Sequence, residues 1–186
     1  HTGAKRLIGR SYRTAPKWSV NGKWAVMYDP IAQVWNKFDG ATGKVVNISD
    51  AIGYPMFVES YDKPAPAPAY GIAGWTADGN NVFLYDAYDW WKIDLTGERQ
   101  PECLTKGYGR KHGKSIRKMT SNIDKDVFQK DEKVIVSLWD KDTMDEGVYQ
   151  LDMKGRLRKL MEGNYVYTIH RFSDNHEYCV WNRQNV

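Results

Sequence analysis

One pattern, two short apolar runs separated by a tight turn, recurs along the chain and constrains its fold more than any other feature. In the clearest copy, Asp78-Gly79-Asn80 supplies residues that tolerate the backbone of a hairpin turn. The apolar runs on either side, Ile72 to Thr76 and Val82 to Tyr85, are predicted strands. Two further strands are predicted at Trp90 to Leu95 and Glu102 to Thr105. We therefore interpret this copy as one antiparallel meander of four strands.

The same order of strands and turns occurs upstream around Asn21-Gly22 and downstream around Lys130-Asp131-Glu132, and it begins again in "FSDNHEY". Four-stranded meanders repeated at about 40 to 60 residues are typical of β-propeller blades. We therefore predict an all-β fold, a β-propeller fragment of about three to four four-stranded antiparallel blades. The predicted blades span about 15–49, 72–105, 126–163 and a truncated 167–186, and residues 1–14 form the end of a preceding blade.

Composition agrees with this fold and excludes some functions. The chain has 13% aromatic residues, with 8 Trp and 12 Tyr, and such rings are enriched in strands. Its net charge of +4 comes from Lys and Arg scattered among nearly as many acids, which argues against a nucleic-acid partner. No stretch approaches the roughly 20 apolar residues that span a bilayer, so no membrane insertion is expected.

The motifs "WSVNGKW", "WTADGNN" and "FSDNHEY" resemble the strand–turn–strand element in propellers of the prolyl oligopeptidase and dipeptidyl peptidase family of serine peptidases. Tol-associated periplasmic propellers share this element. The run from Tyr85 to Arg110, "YDAYDWWKIDLTGE" followed by "CLTKGYGR", is similar to bacterial secreted or periplasmic members of the peptidase family. The resemblance covers essentially the whole chain. It implies a periplasmic or secreted protein whose propeller caps a C-terminal α/β-hydrolase domain and filters peptide substrates.

The nucleophile of such a hydrolase lies in a G-x-S-x-G turn, and this chain contains none. Ser115 in "HGKSIRK" lacks the spacing, and Ser173 in "RFSDNHEY" is interpreted as a turn residue despite His170 and Asp174 nearby. We therefore expect a non-catalytic portion of a longer serine peptidase. The adjacent Glu-Glu pair of the dipeptidyl branch is missing, so exopeptidase and endopeptidase activity both stay open. The alternative is an envelope propeller that binds ligands or proteins without any attached enzyme.

The segment Lys106 to Lys118 is the main candidate for ligand contact, because it groups five cations around three glycines. Glycines let backbone N–H groups approach an anion such as a substrate carboxylate. We name three residues as possible contacts for a ligand or partner: Arg110, Lys111 and Lys114. The competing and favoured interpretation is a solvated loop between blades. Asp86 and Asp89, at the tip before Trp90, are predicted to accept local backbone hydrogen bonds.

No cofactor and no metal are predicted. His112 and His176 lack a second ligand at metal spacing, and Asp140 to Gly147 lacks the glycine and glutamate of a calcium loop, which favours a hairpin tip. Cys103 and Cys179 are each interpreted as a buried free thiol, with a disulfide between them as the alternative.

The proline-rich run 64–68 is interpreted as a stiff surface connection, with a contact segment for a partner or substrate as the alternative. A partial set of blades would expose apolar faces, so we also predict an open arc that associates with itself.

Overall fold

The computed structural model describes residue 5 and residues 14–119, 126–173 and 178–185. Within these ranges the chain forms short strands joined by turns, together with a single turn of helix. The elements are β1 (Lys17–Trp18), β2 (Trp24–Asp29), β3 (Val34–Asp39), β4 (Val45–Asn47), β5 (Ile72–Thr76), β6 (Asn81–Tyr85), β7 (Trp90–Asp94), β8 (Glu102–Cys103), α1 (Tyr108–Lys111), β9 (Lys114–Lys118), β10 (Val127–Phe128), β11 (Lys133–Asp140), β12 (Glu146–Asp152), β13 (Leu157–Gly163), β14 (Tyr165–Phe172) and β15 (Cys179–Asn185).

The strands pair into three successive sheets and a hairpin. The first sheet has the order β1-β2-β3-β4, the second β10-β5-β6-β7-β8 and the third β13-β12-β11-β9, while β14 and β15 pair with each other. Apart from the parallel pair β10–β5, all these pairings are antiparallel. Consecutive four-stranded antiparallel sheets are the arrangement of propeller blades. The predicted all-β fold of four-stranded blades is confirmed.

The third sheet begins earlier in the chain than the predicted grouping, which started this unit at residue 126. Its first strand is β9, which pairs with β11 and places Ile116 opposite Leu138. The sequence "KSIRK" does not look like a strand, because Ile116 is its one large apolar residue. In the structure the Ile116 side chain is completely buried. The interpretation of Lys106 to Lys118 as a solvated loop is therefore wrong, since α1 and β9 occupy most of it.

Strand β10, predicted to open the third blade, instead joins the second sheet. Val127 pairs in parallel with Trp75 of β5. The contact depends on Gly74, whose φ is +156°, because a Cβ at this position would lie 2.5 Å from the ring of Phe128. A strand of two residues gives too little periodicity for its partner to be deduced from sequence.

The sheets are held together by apolar clusters between their facing surfaces. Between the first and second sheets, Trp24, Val26, Tyr28 and Trp35 pack with Val82 and residues near it. A second cluster joins the second and third sheets and includes Phe83, Trp90, Ile116, Phe128, Val136, Leu138 and Leu151. Trp90 has no exposed surface, and its indole Nε1 donates a hydrogen bond to the Ile116 carbonyl across 3.1 Å. Each sheet is therefore buried by its neighbours, as in other repeat architectures.

The hairpin β14–β15 corresponds to the truncated fourth unit. Its backbone contacts the third sheet where the Tyr167 N–H donates to Glu146 Oε2 across 2.7 Å, and the Tyr167 side chain is buried. In contrast, Tyr178 and Val180 are 74% and 65% exposed. These apolar side chains are the kind of exposed face on which self-association was predicted, and that association stays a prediction.

Several local predictions have clear outcomes. Cys103 and Cys179 are free thiols, as predicted, but the prediction that both are buried is wrong, because Cys103 is partly buried and Cys179 is exposed. The proline-rich run lies in a surface loop. A hydrogen bond from the Val58 N–H to the Pro68 carbonyl closes the base of this loop, and the Tyr28 hydroxyl donates a second hydrogen bond to the Ala67 carbonyl. The described residues include no helix long and apolar enough to cross a membrane.

We expect Gly155→Ala to lower the free energy of unfolding by at least about 3 kcal/mol, measured by urea denaturation. Gly155 has a φ of +81°, and a Cβ there would overlap the Leu104 carbonyl oxygen of the second sheet. Gly22→Ala is the matched control, because Gly22 has a φ of +68° with open space around it. Its cost should be about 1–2 kcal/mol, from the backbone alone. Equal losses in the two variants would contradict this contact between sheets.

Candidate functional site

The loop between β6 and β7 is organised by the carboxylate of Asp86, which is completely buried. Its Oδ1 accepts the backbone N–H groups of Tyr88 and Asp89 across 2.7 and 2.6 Å. Its Oδ2 accepts the indole N–H of Trp91 across 3.1 Å. The local backbone role predicted for this aspartate is confirmed.

Asp89 makes longer-range contacts than the sequence suggested. Its Oδ1 accepts the Thr105 hydroxyl across 2.6 Å and the Gly109 N–H across 2.9 Å, and its Oδ2 accepts the Arg110 N–H across 3.0 Å. The residue is only 1% exposed. Because the three donors lie 16 to 21 residues further along the chain, Asp89 ties the β6–β7 loop to the segment around α1.

Arg110 completes this connection from the other side. Its Nη2 lies 3.0 Å from Asp86 Oδ2, and its guanidinium carbon lies 3.8 Å from the centre of the Tyr54 ring and 5.0 Å from that of Tyr88. Burial opposes the charge, but the hydrogen bond and negative charge of Asp86 outweigh it, so the pKa of Arg110 is raised. Its Nε is buried without a hydrogen-bond partner. The guanidinium is thus held between two tyrosines and a carboxylate.

Arg117 secures the same loop from β9. Its Nη2 donates to the carbonyls of Asp86 and Ala87 across 2.7 and 3.1 Å, and its guanidinium lies 4.7 Å from the centre of the Tyr85 ring. Burial lowers the pKa of Arg117, although the neighbouring groups favour its charge. The sequence showed Arg117 only as one cation among five, because its carbonyl partners lie about 30 residues away.

The three predicted ligand contacts lie in different surroundings. Arg110 is paired with Asp86, and Lys114 Nζ lies 2.6 Å from Glu162 Oε1 at the end of β13. Lys111 is the last residue of α1 and is exposed. Two of the three cations therefore have internal carboxylate partners, and contact of any of them with a ligand stays a prediction.

A partly exposed aromatic and basic surface surrounds Arg110, and the sequence did not indicate it. We call it the Tyr–Arg surface and define it as Tyr54, Tyr88, Arg110 and Lys141. Lys141 Nζ lies 4.7 Å from the centre of the Tyr88 ring, and Tyr54 is 44% exposed. These residues come from four separate connections between strands, so only the folded chain brings them together.

The remaining candidates for chemistry have structural surroundings. Ser115 is buried on β9, and the Ser173 hydroxyl accepts the Tyr178 N–H across 3.1 Å as a turn residue. The Asp140 carboxylate accepts the N–H groups of Asp142 and Thr143, which confirms a hairpin tip there. The described ranges contain no group of three or more His, Cys, Asp or Glu residues that could hold a metal ion. Asp174 and His176 lie outside the described residues.

Comparison with known proteins gives weak similarities. No protein-family model and no curated protein matches the chain. A TolB-type protein of Agrobacterium tumefaciens is 15% identical over 85% of this chain and 53% of its own, with a TM-score of 0.47. The calcium-binding protein regucalcin from the same species is 11% identical over 96% of this chain and 54% of its own, with a TM-score of 0.43. The chain spans about half the length of each, and the strand pairing described above, not these scores, defines its propeller-type fold.

We expect Asp89→Asn to lower the free energy of unfolding by about 1–3 kcal/mol in urea denaturation. Both carboxylate oxygens of Asp89 accept hydrogen bonds, whereas an Asn amide has only one oxygen, so at least one buried donor loses its acceptor. Asp62→Asn, which makes the same change at an exposed carboxylate, is the matched control and should have almost no effect. Equal stability of the Asp89 variant and the parent chain would show that the connection to α1 contributes nothing.

Glu162 should make the chain sensitive to acid. Hydrogen bonds from Lys114 and Lys159 lower the pKa of Glu162 from 4.5 to about 2. Because the pKa of Glu162 is lower in the folded chain than in the unfolded chain, its ionised carboxylate stabilises the fold. This contribution is complete above about pH 4.5 and is lost as the pH falls towards 2. The stability difference between the parent chain and Glu162→Gln should therefore shrink across this window in urea denaturation. Glu102→Gln, at an exposed glutamate, is the control, and a difference independent of pH would contradict the ion pairs.

Proposed function

We propose that this chain is the non-catalytic propeller portion of a secreted or periplasmic serine peptidase of the prolyl oligopeptidase family. In this proposal it controls the access of peptides to a separate α/β-hydrolase domain of the parent chain. The observation that carries the proposal is the folding of the Tyr85 to Arg110 run, the part of the sequence most similar to these peptidases. The buried residues of that run, Asp86, Asp89 and Trp90 among them, join the second sheet to the third.

The charges of the junction support a mechanical role. Asp86 and Asp89 are nearly inaccessible, and each accepts several hydrogen bonds from the protein itself. A catalytic carboxylate has to reach a substrate, whereas these two hold the β6–β7 loop against α1. A filter needs loops of defined position around the opening, and buried, fully used carboxylates provide this rigidity.

The surroundings of two serines, Ser115 and Ser173, agree with catalysis on another domain. Ser115 is 7% exposed within β9, and the Ser173 hydroxyl is used in its own turn. A serine nucleophile requires an exposed hydroxyl with an adjacent base. In this proposal the hydrolase domain supplies that arrangement, and the propeller contributes a docking surface for peptides.

A second candidate function is an envelope propeller that binds ligands or proteins and has no attached enzyme. The Tyr–Arg surface favours it, because tyrosine and arginine are common in the centre of binding interfaces. The two candidates differ in whether the complete gene product contains a hydrolase domain.

The test compares this chain with the complete product of its gene against chromogenic peptides that contain proline and alanine. We expect hydrolysis by the complete product only, and we expect a serine-directed phosphonate to abolish it. An inactive complete product would favour the envelope binding propeller. Hydrolysis by the 186-residue chain alone would overturn the non-catalytic assignment.

A further inference from the structure

A groove of about 370 Å³ lies on the third sheet, near the turn between β12 and β13. The turn beside it borders the Tyr85 to Arg110 run, because a Cβ at Gly155 would overlap the Leu104 carbonyl oxygen. Six residues line it: Lys133, Gln150, Asp152, Arg156, Leu157 and Arg158.

The two faces of the third sheet differ in chemistry. Val134, Val136 and Leu151 belong to the buried cluster shared with the second sheet. On the opposite face, the strand register places Lys133 beside Asp152 and Gln150 beside Arg158. Directly opposed residues of antiparallel strands point to the same side, so these four polar side chains share one face, where Ile135, opposite Gln150, is partly buried. This part of the sheet is therefore unsuited to the apolar stacking that joins the other sheets.

The hairpin β14–β15 covers the other end of the same face. Glu146, four residues before Gln150 on β12, accepts the Tyr167 N–H, and Val148 between them is 2% exposed. Gln150 and Asp152 are only partly buried, and Lys133 and Arg158 are exposed. The covered end thus stops where the basic groove begins.

The groove has an excess of positive charge. Its one carboxylate, Asp152, is paired with Arg156 through Oδ2 and Nε and also accepts the N–H groups of Lys154 and Arg156. Neither Lys133 nor Arg158 takes part in an ion pair within the part of the chain that the structure describes. Two cations are therefore left to bind an anionic ligand.

We propose that this groove binds an acidic peptide segment in extended conformation. Lys133 and Arg158 lie on the strands either side of β12 and two residues apart in register, which places their Cα atoms about 12 Å apart. Carboxylates at alternate residues of an extended peptide are about 7 Å apart, so the first and third of three span about 14 Å, and the long side chains of Lys133 and Arg158 can reach both. The Gln150 amide between the cations can donate to a peptide carbonyl and accept a peptide N–H.

The test is fluorescence anisotropy with a labelled peptide that carries Asp at every second position, compared with the same peptide carrying Asn. We expect the 186-residue chain to bind the Asp peptide at least about tenfold more tightly, with a preference that falls as salt is added. Lys133→Gln and Arg158→Gln should each weaken binding about five- to tenfold. Lys44→Gln is the matched control, because it removes the same charge at an exposed position on the first sheet, and it should bind like the parent chain.

Four outcomes would overturn the proposal. The first is equal binding of the Asp and Asn peptides. The second is an equal loss of binding affinity in Lys44→Gln and in the groove variants, when all the variants keep the urea unfolding midpoint of the parent chain. The third is binding by the 186-residue chain that disappears in the complete gene product, since the groove is then a contact with another part of the protein. Binding of heparin without binding of the Asp peptide would assign the groove to a different class of polyanion. These readouts do not involve hydrolysis, so they stand apart from the peptidase test.

Discussion

The apolar face of each sheet can leave water only by packing against the next sheet. Tyr28 and Trp24 of the first sheet need the second, and Trp90 of the second needs Ile116 of the third. Burial of each such side chain stabilises the fold by about 1.5–3 kcal/mol, so each sheet depends on its neighbours for stability. One end of the third sheet's opposite face departs from this rule, since Lys133 and Arg158 line a polar groove there, while the hairpin β14–β15 covers the other end.

Polar contacts then determine the positions of the loops on these stacked sheets. Asp86 and Asp89 act as two adjacent acceptors for donors from β7, from the segment around α1 and from Arg110. Buried carboxylates are costly unless their oxygens are satisfied, and here every oxygen has at least one partner. The same contacts bring Tyr54 and Tyr88 around Arg110, so one junction supports both the stability of the loop and the partly exposed Tyr–Arg surface.

The predicted strands of the second blade correspond closely to β5 through β8, because Asp78-Gly79-Asn80 and the alternating apolar residues around it act locally. The start of the third blade was misplaced for the opposite reason. Strand β9 depends on pairing with β11, about 20 residues away, and its basic sequence does not look like a buried strand. The anionic partners of Arg110 and Lys114 were missed in the same way, because Asp86 and Glu162 lie 24 and 48 residues away.

The sequence by itself determined the all-β class, the repeated four-stranded unit and the turns, since turn residues and strand periodicity act over a few neighbouring positions. It also showed that the chain has no nucleophile turn of the G-x-S-x-G type. Only the tertiary structure decided that β10 belongs to the second sheet, that Asp89 holds α1, and that Lys133 and Arg158 share a groove. These features depend on pairing and charge contacts between distant residues, and such contacts exist only when the sheets stack.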